Sequence, residues 1–449
     1  MARGKKEIIG YACLSIISKI ATYILLIVFA NLFTEHEYGK AKFILSIFYI
    51  FTAFMCFGLP DSIVPFYIRY KHKLAGVFNF YLLFVLIIST IGILIFLDNF
   101  PILILIISSI FFYFQTFFIG IYQAKHKHHL YQLFRTLLQA VPLIFIFLFL
   151  RFGTDGIILS FAITHIILGI IIILLNYKET MSFLKPKINI IFFSKYLRYA
   201  VFAGAITYSY LFIGWVDSSI LGWLSNFRNV AIYNIALPLS NITNLIPFTI
   251  SMFLLTRISS VFKSEKLSYS ILKRSIRISL FFSIIISIML SSFIFLITRI
   301  FFSNYFNNVE VYFIILLIGA QLFAIYHLIY TYYAGRFEIR KAFIPILFAM
   351  MINIALDIFL IPKFGVFGIV FATLLAHLSA YTLLMNKVGL LKEFWMVYVL
   401  ALSIPLAFFL KYYGILLLAV IIPLMFYFRL IMKEDIKVVT DTLISFFKV

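Results

Sequence analysis

Long apolar segments alternate with short polar segments along the whole chain. Each apolar segment has roughly the twenty residues that a helix needs to cross the hydrocarbon core of a bilayer. The pattern therefore predicts an all-α polytopic membrane protein with 14 transmembrane helices. The predicted helices are Ile8–Leu32, Ala41–Phe57, Ala75–Leu97, Pro101–Gln123, Tyr131–Leu150, Gly156–Leu175, Leu197–Trp223, Ala231–Leu255, Ile276–Thr298, Val309–Thr331, Phe343–Ile361, Gly365–Met385, Phe394–Leu410 and Gly414–Ile431.

The basic residues are divided unequally between the two ends of these predicted helices. Segments on the side of the N-terminus hold 29 of the 37 lysine and arginine residues, and segments on the opposite side hold 7. Because cytoplasmic segments of membrane proteins are enriched in lysine and arginine, both termini are predicted to be cytoplasmic. The basic linker 178–196 is also suited to contact anionic lipid head groups.

The composition agrees with a multi-spanning protein and excludes several other classes. The chain is 64% hydrophobic and 12% charged, whereas soluble proteins carry about 25% charged residues. The net charge of +21 does not indicate a nucleic-acid partner, because the basic residues lie in short runs between apolar segments. Cys13 and Cys56 fall in apolar helices and are expected to be small buried side chains. The sequence contains no nucleotide-binding loop and no cluster of metal ligands, so we expect no cofactor.

An internal repeat relates two parts of the chain. The segment Phe152–Ile157 and the later His165 match the segment Phe364–Ile369 and the later His377, with every matched position 212 residues apart. The offset covers six predicted helices, an even number, so the two halves keep the same orientation in the membrane. We predict two pseudo-symmetric six-helix lobes, residues 1–177 and 197–386, joined by the cytoplasmic linker 178–196. Residues 387–449 then form two additional helices and a cytoplasmic tail.

Lys19 lies near the middle of the first predicted helix, where a charge is costly. Insertion scales put a charged side chain at the centre of a helix at about 2.5–3.5 kcal/mol. Ser15, Ser18 and Thr22 follow the spacing of three to four that places residues on the same face as Lys19. We therefore expect a polar stripe that faces a watery cavity or a partner. No other lysine or arginine is predicted at this depth.

Several motifs resemble those of a known family of membrane transporters. The segments Trp215–Gly222 and Val230–Tyr233 look like its "D…iLG…vg.Y" signature, and Asn353–Thr373 resembles its "N..L…lIP.fG..Ga..AT" stretch. Near the start, Glu37–Gly39 and Phe57–Leu59 are similar to the first motifs of the family. Over essentially the whole chain, the order of motifs resembles that of polysaccharide-biosynthesis flippases in the multidrug/oligosaccharidyl-lipid/polysaccharide exporter superfamily.

The resemblance implies two six-helix lobes around a central cavity and transport of undecaprenyl- or dolichyl-linked sugars to the outer leaflet. Such a substrate needs a cation for its phosphate or diphosphate, and hydroxyl and amide partners for its sugars. Lys19 is the candidate for the phosphate, although pairing with a carboxylate and snorkelling are alternatives. Arg257 either attracts the phosphate at entry or is an ordinary flanking residue at the cytoplasmic end of the eighth helix.

The seventh and eighth predicted helices carry further candidate substrate-binding side chains. Asp217 lies near the outer end of the seventh helix, about 12 Å in depth from Lys19, so we expect no direct ion pair between them. Asp217 either gates the outer side, binds a cation or has a structural role. The amides on the eighth helix bind either sugar hydroxyls or neighbouring helices, and prolines 238 and 247 predict kinks there. Besides Asp217, the candidates are Tyr210, Asn234, Asn241 and Asn244.

Two histidines related by the repeat fall near mid-membrane. A role for His165 and His377 in coupling transport to a proton or cation is one hypothesis. Hydrogen-bonded packing between helices is the alternative.

These features distinguish three classes of function. A multidrug exporter of the same superfamily typically carries a carboxylate in its first lobe, and the first six predicted helices contain no mid-span Asp or Glu. A polysaccharide polymerase or ligase usually has a large outer loop, which this chain lacks, so we expect no enzyme. The leading hypothesis is a flippase in the cytoplasmic membrane that works as a monomer, near glycosyltransferases. Its predicted partners are a lipid-linked oligosaccharide, membrane lipids and a coupling cation or proton.

Overall fold

The computed structural model describes residues 2–70, 74–125, 127–185, 190–261, 263–302, 308–336 and 338–435. Over these residues the regular structure is helical throughout. The helices are α1 (Ala2–Leu32), α2 (Glu35–Met55), α3 (Leu59–Tyr70), α4 (Ala75–Ile95), α5 (Phe100–Ala124), α6 (His128–Phe149), α7 (Gly153–Leu175), α8 (Tyr177–Phe183), α9 (Ile190–Leu224), α10 (Phe227–Ser240), α11 (Leu245–Val261), α12 (Glu265–Phe301), α13 (Val309–Gly335), α14 (Arg340–Phe364), α15 (Val366–Lys387), α16 (Met396–Ala401), α17 (Ser403–Leu410) and α18 (Leu418–Tyr427).

Helix length and apolar composition make this a multi-pass membrane protein. Nine stretches within the described ranges are long and apolar enough to cross a bilayer. Each segment predicted to span the membrane overlaps helical structure, but the last two are interrupted: Phe394–Leu410 contains α16 and α17, and Gly414–Ile431 contains the end of a 3-10 segment and α18. Helices satisfy their own backbone hydrogen bonds, which is the condition for a chain to cross lipid. The full count of fourteen spans and the side of each terminus stay predictions.

The second helix begins earlier than its hydrophobic pattern indicates. Thr34 and Glu37 form a reciprocal capping box, which starts α2 at Glu35, six residues before the predicted start. Lys40, expected in an outer polar segment, therefore lies inside the helix, and Lys42 lies about two turns from the start of the helix instead of at its first turn. After α2 the chain turns at Gly58, whose φ of 71° is accessible to glycine but strained for other residues, and continues as α3, which the hydrophobic pattern did not predict.

The eighth predicted helix is broken in its middle. Residues Asn241–Asn244 form a 3-10 turn between α10 and α11, flanked by Pro238 and Pro247. Because proline has no backbone N–H, the carbonyl one turn before each proline loses its α-helical partner, and a tighter turn is one way to compensate. The two prolines thus flank a 3-10 segment, while the kinks themselves stay a prediction.

The chain forms two compact units, residues 1–231 and 232–449. In the first unit, tightly packed aromatic rings that include Phe78, Tyr113 and Phe117 form the core between α4 and α5. In the second, α13 packs against α11, α12 and α15. The lobe boundaries at 177 and 197 rest on the sequence repeat and stay a prediction.

A buried ion pair fixes the end of the described chain to α12. Arg277 donates to both carboxylate oxygens of Asp435, with its Nε 2.7 Å from Oδ2 and its Nη2 3.2 Å from Oδ1. Arg274 lies beside the same carboxylate, at 3.1 Å, and donates to the carbonyl oxygen of Glu434. The carboxylate of Asp435 is almost fully buried, so charge-assisted hydrogen bonds replace its lost hydration.

Candidate functional site

The predicted phosphate ligand lies where α1 packs against α6. Lys19 is exposed on α1. One turn and a half before it, the carbonyl oxygen of Leu14 accepts a 3.0 Å hydrogen bond from the hydroxyl of Thr136 on α6. This contact brings Arg135, the neighbour of Thr136, close enough to Lys19 for the two positive charges to repel each other. No acidic side chain among the described residues forms an ion pair with Lys19.

Arg135 is a site residue that the hydrophobic pattern did not predict. It was counted with the inside basic residues, at the start of the predicted helix Tyr131–Leu150; α6 begins at His128, so Arg135 lies about two turns into the helix. Its guanidinium donates a 2.7 Å hydrogen bond to the hydroxyl of Tyr131, one turn earlier, which orients the charge along the helix surface. That Lys19 is the only lysine or arginine near mid-membrane stays a prediction, because Arg135 lies near one end of its helix.

The other members of the predicted stripe on α1 are only partly described. The hydroxyl of Thr22 donates 2.9 Å to the carbonyl oxygen of Ser18 on its own helix, which leaves its oxygen lone pairs available to a ligand donor. The side chain of Ser15 lies outside the described residues. Of this stripe, the structure thus describes one cation, Lys19, and two hydroxyl side chains, Ser18 and Thr22.

Lys42 is a further cation on a helix, close to the predicted start of that helix at Ala41. It is half-buried on α2, and its ammonium lies 5.5 Å from the ring centre of Phe29 and 5.6 Å from that of Tyr38. Aromatic faces attract a cation by about 0.5–2 kcal/mol, more as water is removed. The capping box at Thr34 is the sequence signal that would have placed the start of α2 at Glu35, about two turns before Lys42.

Helix α2 pairs closely with α9 and the start of α10. The hydroxyls of Ser46 and Ser219 are 2.7 Å apart, and the rings of Tyr49 and Trp215 stack at 4.9 Å. Nearer the start of α2, the backbone at Gly39 lies directly against the carbonyl of Phe227. There Glu35 also forms a 2.6 Å ion pair with Arg228. Small residues and hydroxyls at the interface let the two helices approach closely.

Asp217 lies on α9 within this region and is fully buried. The preceding Gly214 has a φ of 116°, a conformation that favours glycine and interrupts the regular geometry of α9 one turn before Asp217. The hydroxyl of the neighbouring Ser218 donates to the carbonyl oxygen of Gly214. This hydrogen bond satisfies a backbone carbonyl at the irregular turn of α9. The side chain of Tyr210, one turn earlier, lies outside the described residues.

His165 on α7 is held by a reciprocal pair of hydrogen bonds. Its Nδ1 lies 2.9 Å from Oε1 of Gln115 on α5, and the amide of Gln115 donates 2.6 Å to the carbonyl oxygen of His165. Because the amide oxygen can only accept, Nδ1 carries the proton. The rings of Phe48 and Phe112 surround the buried imidazole. This geometry is suited to packing between α5 and α7.

His377 on α15 occupies a similar position in the second unit. Its Nδ1 lies 2.9 Å from the hydroxyl of Tyr326 on α13, and its ring stacks on Phe323 at 5.3 Å. The edge of the imidazole also lies against the backbone at Gly319. Both repeat-related histidines are therefore buried and hydrogen-bonded to a neighbouring helix.

The amides of the eighth predicted helix lie at and before the 3-10 break. Asn244 is fully buried and donates 2.8 Å to the amide oxygen of Asn241, which is half-buried, as is Asn234. Arg257 is exposed near the end of α11. The structure thus brings two of the three asparagines into contact with each other and keeps Arg257 at the surface.

Solved structures with a similar fold are membrane transporters. "Lipid II flippase MurJ, inward closed conformation" matches with a TM-score of 0.74 and 19% identity, covering 95% of this chain and 99% of that chain. An inward-facing multidrug resistance MATE family transporter of the MOP superfamily has a TM-score of 0.61 and 13% identity, covering 84% and 96%. Its outward-facing counterpart has a TM-score of 0.51 and 13% identity, covering 87% and 97%. No curated protein sequence matches the chain.

The helical architecture therefore defines an all-α, multi-pass membrane protein with a transporter fold over most of its length. The sequence matches the family described as "Polysaccharide biosynthesis protein" over residues 5–262, more than half of the chain. The chain belongs to this family, which confirms the resemblance stated from its motifs.

Proposed function

We propose that this protein is a flippase that moves a lipid-linked oligosaccharide across the cytoplasmic membrane by alternating access. Its substrate is a polyprenyl phosphate or diphosphate carrying sugars used in cell-surface polysaccharide or glycan synthesis. Family membership and the transporter fold support export in polysaccharide biosynthesis. In this proposal the chain crosses the membrane fourteen times, with both termini in the cytoplasm, as the distribution of basic residues favours.

Lys19 and Arg135 support this proposal most directly, because the contact between Thr136 and Leu14 brings their two helices together beside these cations. Two like charges held together on membrane helices repel each other, and low-dielectric surroundings strengthen that repulsion. A phosphate or diphosphate between them turns the repulsion into two attractions. Arginine can bind two phosphate oxygens at once, and lysine adds a point charge. The α1–α6 surface therefore suits a doubly anionic head group.

The other parts of the substrate have candidate partners of their own. The asparagines 234, 241 and 244 supply amide donors and acceptors for sugar hydroxyls. The polyprenyl chain stays in lipid, which matches its apolar character and leaves only the head group to be carried. Asp217 lies in the outer half of α9 in this topology, so its charge is kept away from the incoming phosphate.

Alternating access requires a contact that closes the outer side and opens during transport. The pairing of α2 with α9 and α10 is suited to this role, because its ion pair between Glu35 and Arg228 lies at the outer ends of these helices in the proposed topology. The Ser46–Ser219 contact lies deeper along the same seam. Opening the seam would give the head group a route to the outer leaflet.

Reconstituted transport tests the phosphate role directly. Proteoliposomes with a fluorescent prenyl-diphosphate sugar should lose translocation in Lys19→Ala and in Arg135→Gln, while Lys19→Arg should retain it. Lys40→Ala is the matched control, because Lys40 is also an exposed lysine but lies on a different helix, α2. Wild-type rates in both Lys19→Ala and Arg135→Gln would refute phosphate capture. Transport of organic cations without transport of the lipid-linked sugar would identify a multidrug exporter instead.

Reversible crosslinking tests the outer contact. In a background with Cys13 and Cys56 replaced by alanine, Ser46→Cys with Ser219→Cys should form a disulfide on oxidation, because the two hydroxyls are 2.7 Å apart. Oxidation should stop translocation and reduction should restore it. The single variant Ser46→Cys controls for oxidation damage. Undiminished transport by the crosslinked protein would show that the seam does not open.

A further inference from the structure

The 3-10 turn at Asn241–Asn244 contacts both α12 and α13, so three elements of the second unit meet there. Aromatic contacts fix how α11 lies against α13, with the ring of Phe248 packing 5.6 Å from Phe323 and 4.8 Å from His327. Asn244 lies one turn before Phe248 and is therefore at the level of the middle of α13. The junction is fully enclosed at Asn244.

The register between α12 and α13 places polar side chains at the same level. Near the α12–α13 connection the hydroxyl of Thr298 donates 2.6 Å to the carboxylate of Glu310. Eleven residues away from this bond along each helix, which is about three turns, lie Ser287 on α12 and Gln321 on α13. Three turns return to the same helix face, so Ser287 and Gln321 lie on the faces where the two helices meet. Ser291 lies on that face of α12, one turn nearer the bond.

These side chains carry polar atoms with no hydrogen-bond partner among the described residues. Both the oxygen and the nitrogen of the Gln321 amide are in this state, as are the hydroxyls of Ser287 and Ser291 and the amide oxygen of Asn244. All four residues are fully buried. A buried polar atom without a partner costs about 1–3 kcal/mol. Because several such atoms lie together at one junction, we expect a ligand or solvent to form hydrogen bonds with them.

We propose that this junction is an internal hydration site, where ordered water bridges Gln321, Ser287, Ser291 and Asn244. The hydrogen-bond donors and acceptors of these four side chains indicate which ligand fits. A bare cation would bond to the oxygens, but it would leave the N–H groups of Gln321 without an acceptor. Water donates to amide oxygens and accepts from the amide nitrogen and the hydroxyls, so it matches the whole set.

The hydration site also accounts for the break in the eighth predicted helix. Pro247 has no N–H, so the carbonyl oxygen of Thr243 loses the partner that a regular helix would supply. Ordered water and hydroxyl side chains are the usual means of satisfying such freed groups inside a membrane. Water at the junction therefore stabilises the broken helix that carries Asn241 and Asn244. This inference does not depend on the proposed substrate.

Whether Gln321→Leu raises or lowers the midpoint of thermal unfolding tests the proposed hydration site. Gln321→Leu replaces the amide by an apolar side chain of similar size. In a dry junction this removes two unsatisfied polar atoms and raises the midpoint of thermal unfolding; with bound water it removes partners of the water and lowers the midpoint. We expect a lower midpoint for Gln321→Leu and for Ser287→Ala, and a combined loss in the double variant smaller than the sum of the two.

The matched control is Ser283→Ala, since Ser283 is fully buried on the same helix but its hydroxyl already donates to the carbonyl oxygen of Leu280. Ser287→Ala should lower the midpoint more than this control does. A density map that resolves ordered water supplies the second readout, with solvent expected within hydrogen-bond distance of the Gln321 amide. A raised midpoint for Gln321→Leu, or a direct Gln321–Ser287 bond without solvent, would overturn the proposal.

Discussion

The pair formed by Gln115 and His165 allows a sharp test of what the histidine does. Gln115→Leu keeps a similar volume but removes both hydrogen bonds, at 2.9 and 2.6 Å. The proton on Nδ1 then has no acceptor in a site where His165 is only 5% exposed. Stranding a buried donor costs about 1–3 kcal/mol of unfolding free energy. The carbonyl of His165 adds little, because its helical hydrogen bond remains.

A double-mutant cycle isolates the pair. His165→Phe keeps an aromatic ring among Phe48 and Phe112, so the double variant loses both polar partners while packing is largely retained. Polar pairs between membrane helices couple by about 0.6 kcal/mol on average and up to about 1.7 kcal/mol. We therefore expect the double variant to be less destabilised than the sum of the singles by an amount in this range.

The buried Cys56 can be used to measure the unfolding of these variants. Cys56 is one of two cysteines and is 2% exposed, so with Cys13 replaced by serine a thiol-reactive dye reports unfolding through Cys56 alone. Gln123→Leu is the control, because it makes the same substitution at an exposed position of α5. Gln115→Leu as stable as this control would refute a structural pair. A His165→Phe variant that folds but loses the pH dependence of transport would instead support proton coupling.

Three further outcomes follow from other contacts. Gly39→Ala should destabilise by about 1–3 kcal/mol, because a methyl group there collides with the carbonyl oxygen of Phe227; thermal unfolding unchanged from wild type would contradict the close approach. Asp435→Asn should destabilise by about 3–5 kcal/mol by leaving the charge of Arg277 buried with a neutral partner, and adding Arg277→Met should recover part of the loss in the same assay. Cys56 in the native protein should react with maleimide no faster than the chain unfolds, and rapid native labelling would show that the α2–α3 turn opens locally.

The helical architecture could be predicted from the hydrophobic pattern, because a chain that crosses lipid must satisfy its backbone hydrogen bonds within itself. Predicted and observed bounds agree closely where an apolar run ends in polar residues, as for Ala75–Leu97 against α4 and Gly156–Leu175 against α7. The agreement fails where a helix extends past its apolar run. Capping at Thr34 starts α2 at Glu35, before the apolar run, and α3 has only 12 residues, too few to be predicted as a span.

The candidate site was less predictable, because its contacts join helices distant in sequence. Spacing along one helix placed Lys19, Ser18 and Thr22 on one face, but no local signal shows that α6 brings Arg135 to that surface. The hydrogen-bond partner of His165 could not be predicted either, since Gln115 lies fifty residues earlier in the sequence. Prolines 238 and 247 predicted a bend, whereas the unpartnered amide of Gln321 becomes visible only once α12 and α13 are packed.

Helix α12 has 37 residues and is therefore about 55 Å long, against about 30 Å for the hydrocarbon core of a bilayer. In the proposed topology the excess projects into the cytoplasm at the end that begins with Glu265. That end is braced by the 2.7 Å ion pair from Lys273 to Glu393 and by Arg277 with Asp435. The N-terminal end of α12, held by these ion pairs outside the lipid, is a suitable epitope for an antibody fragment. A fragment bound there would give a small membrane protein the external landmark that single-particle image alignment needs.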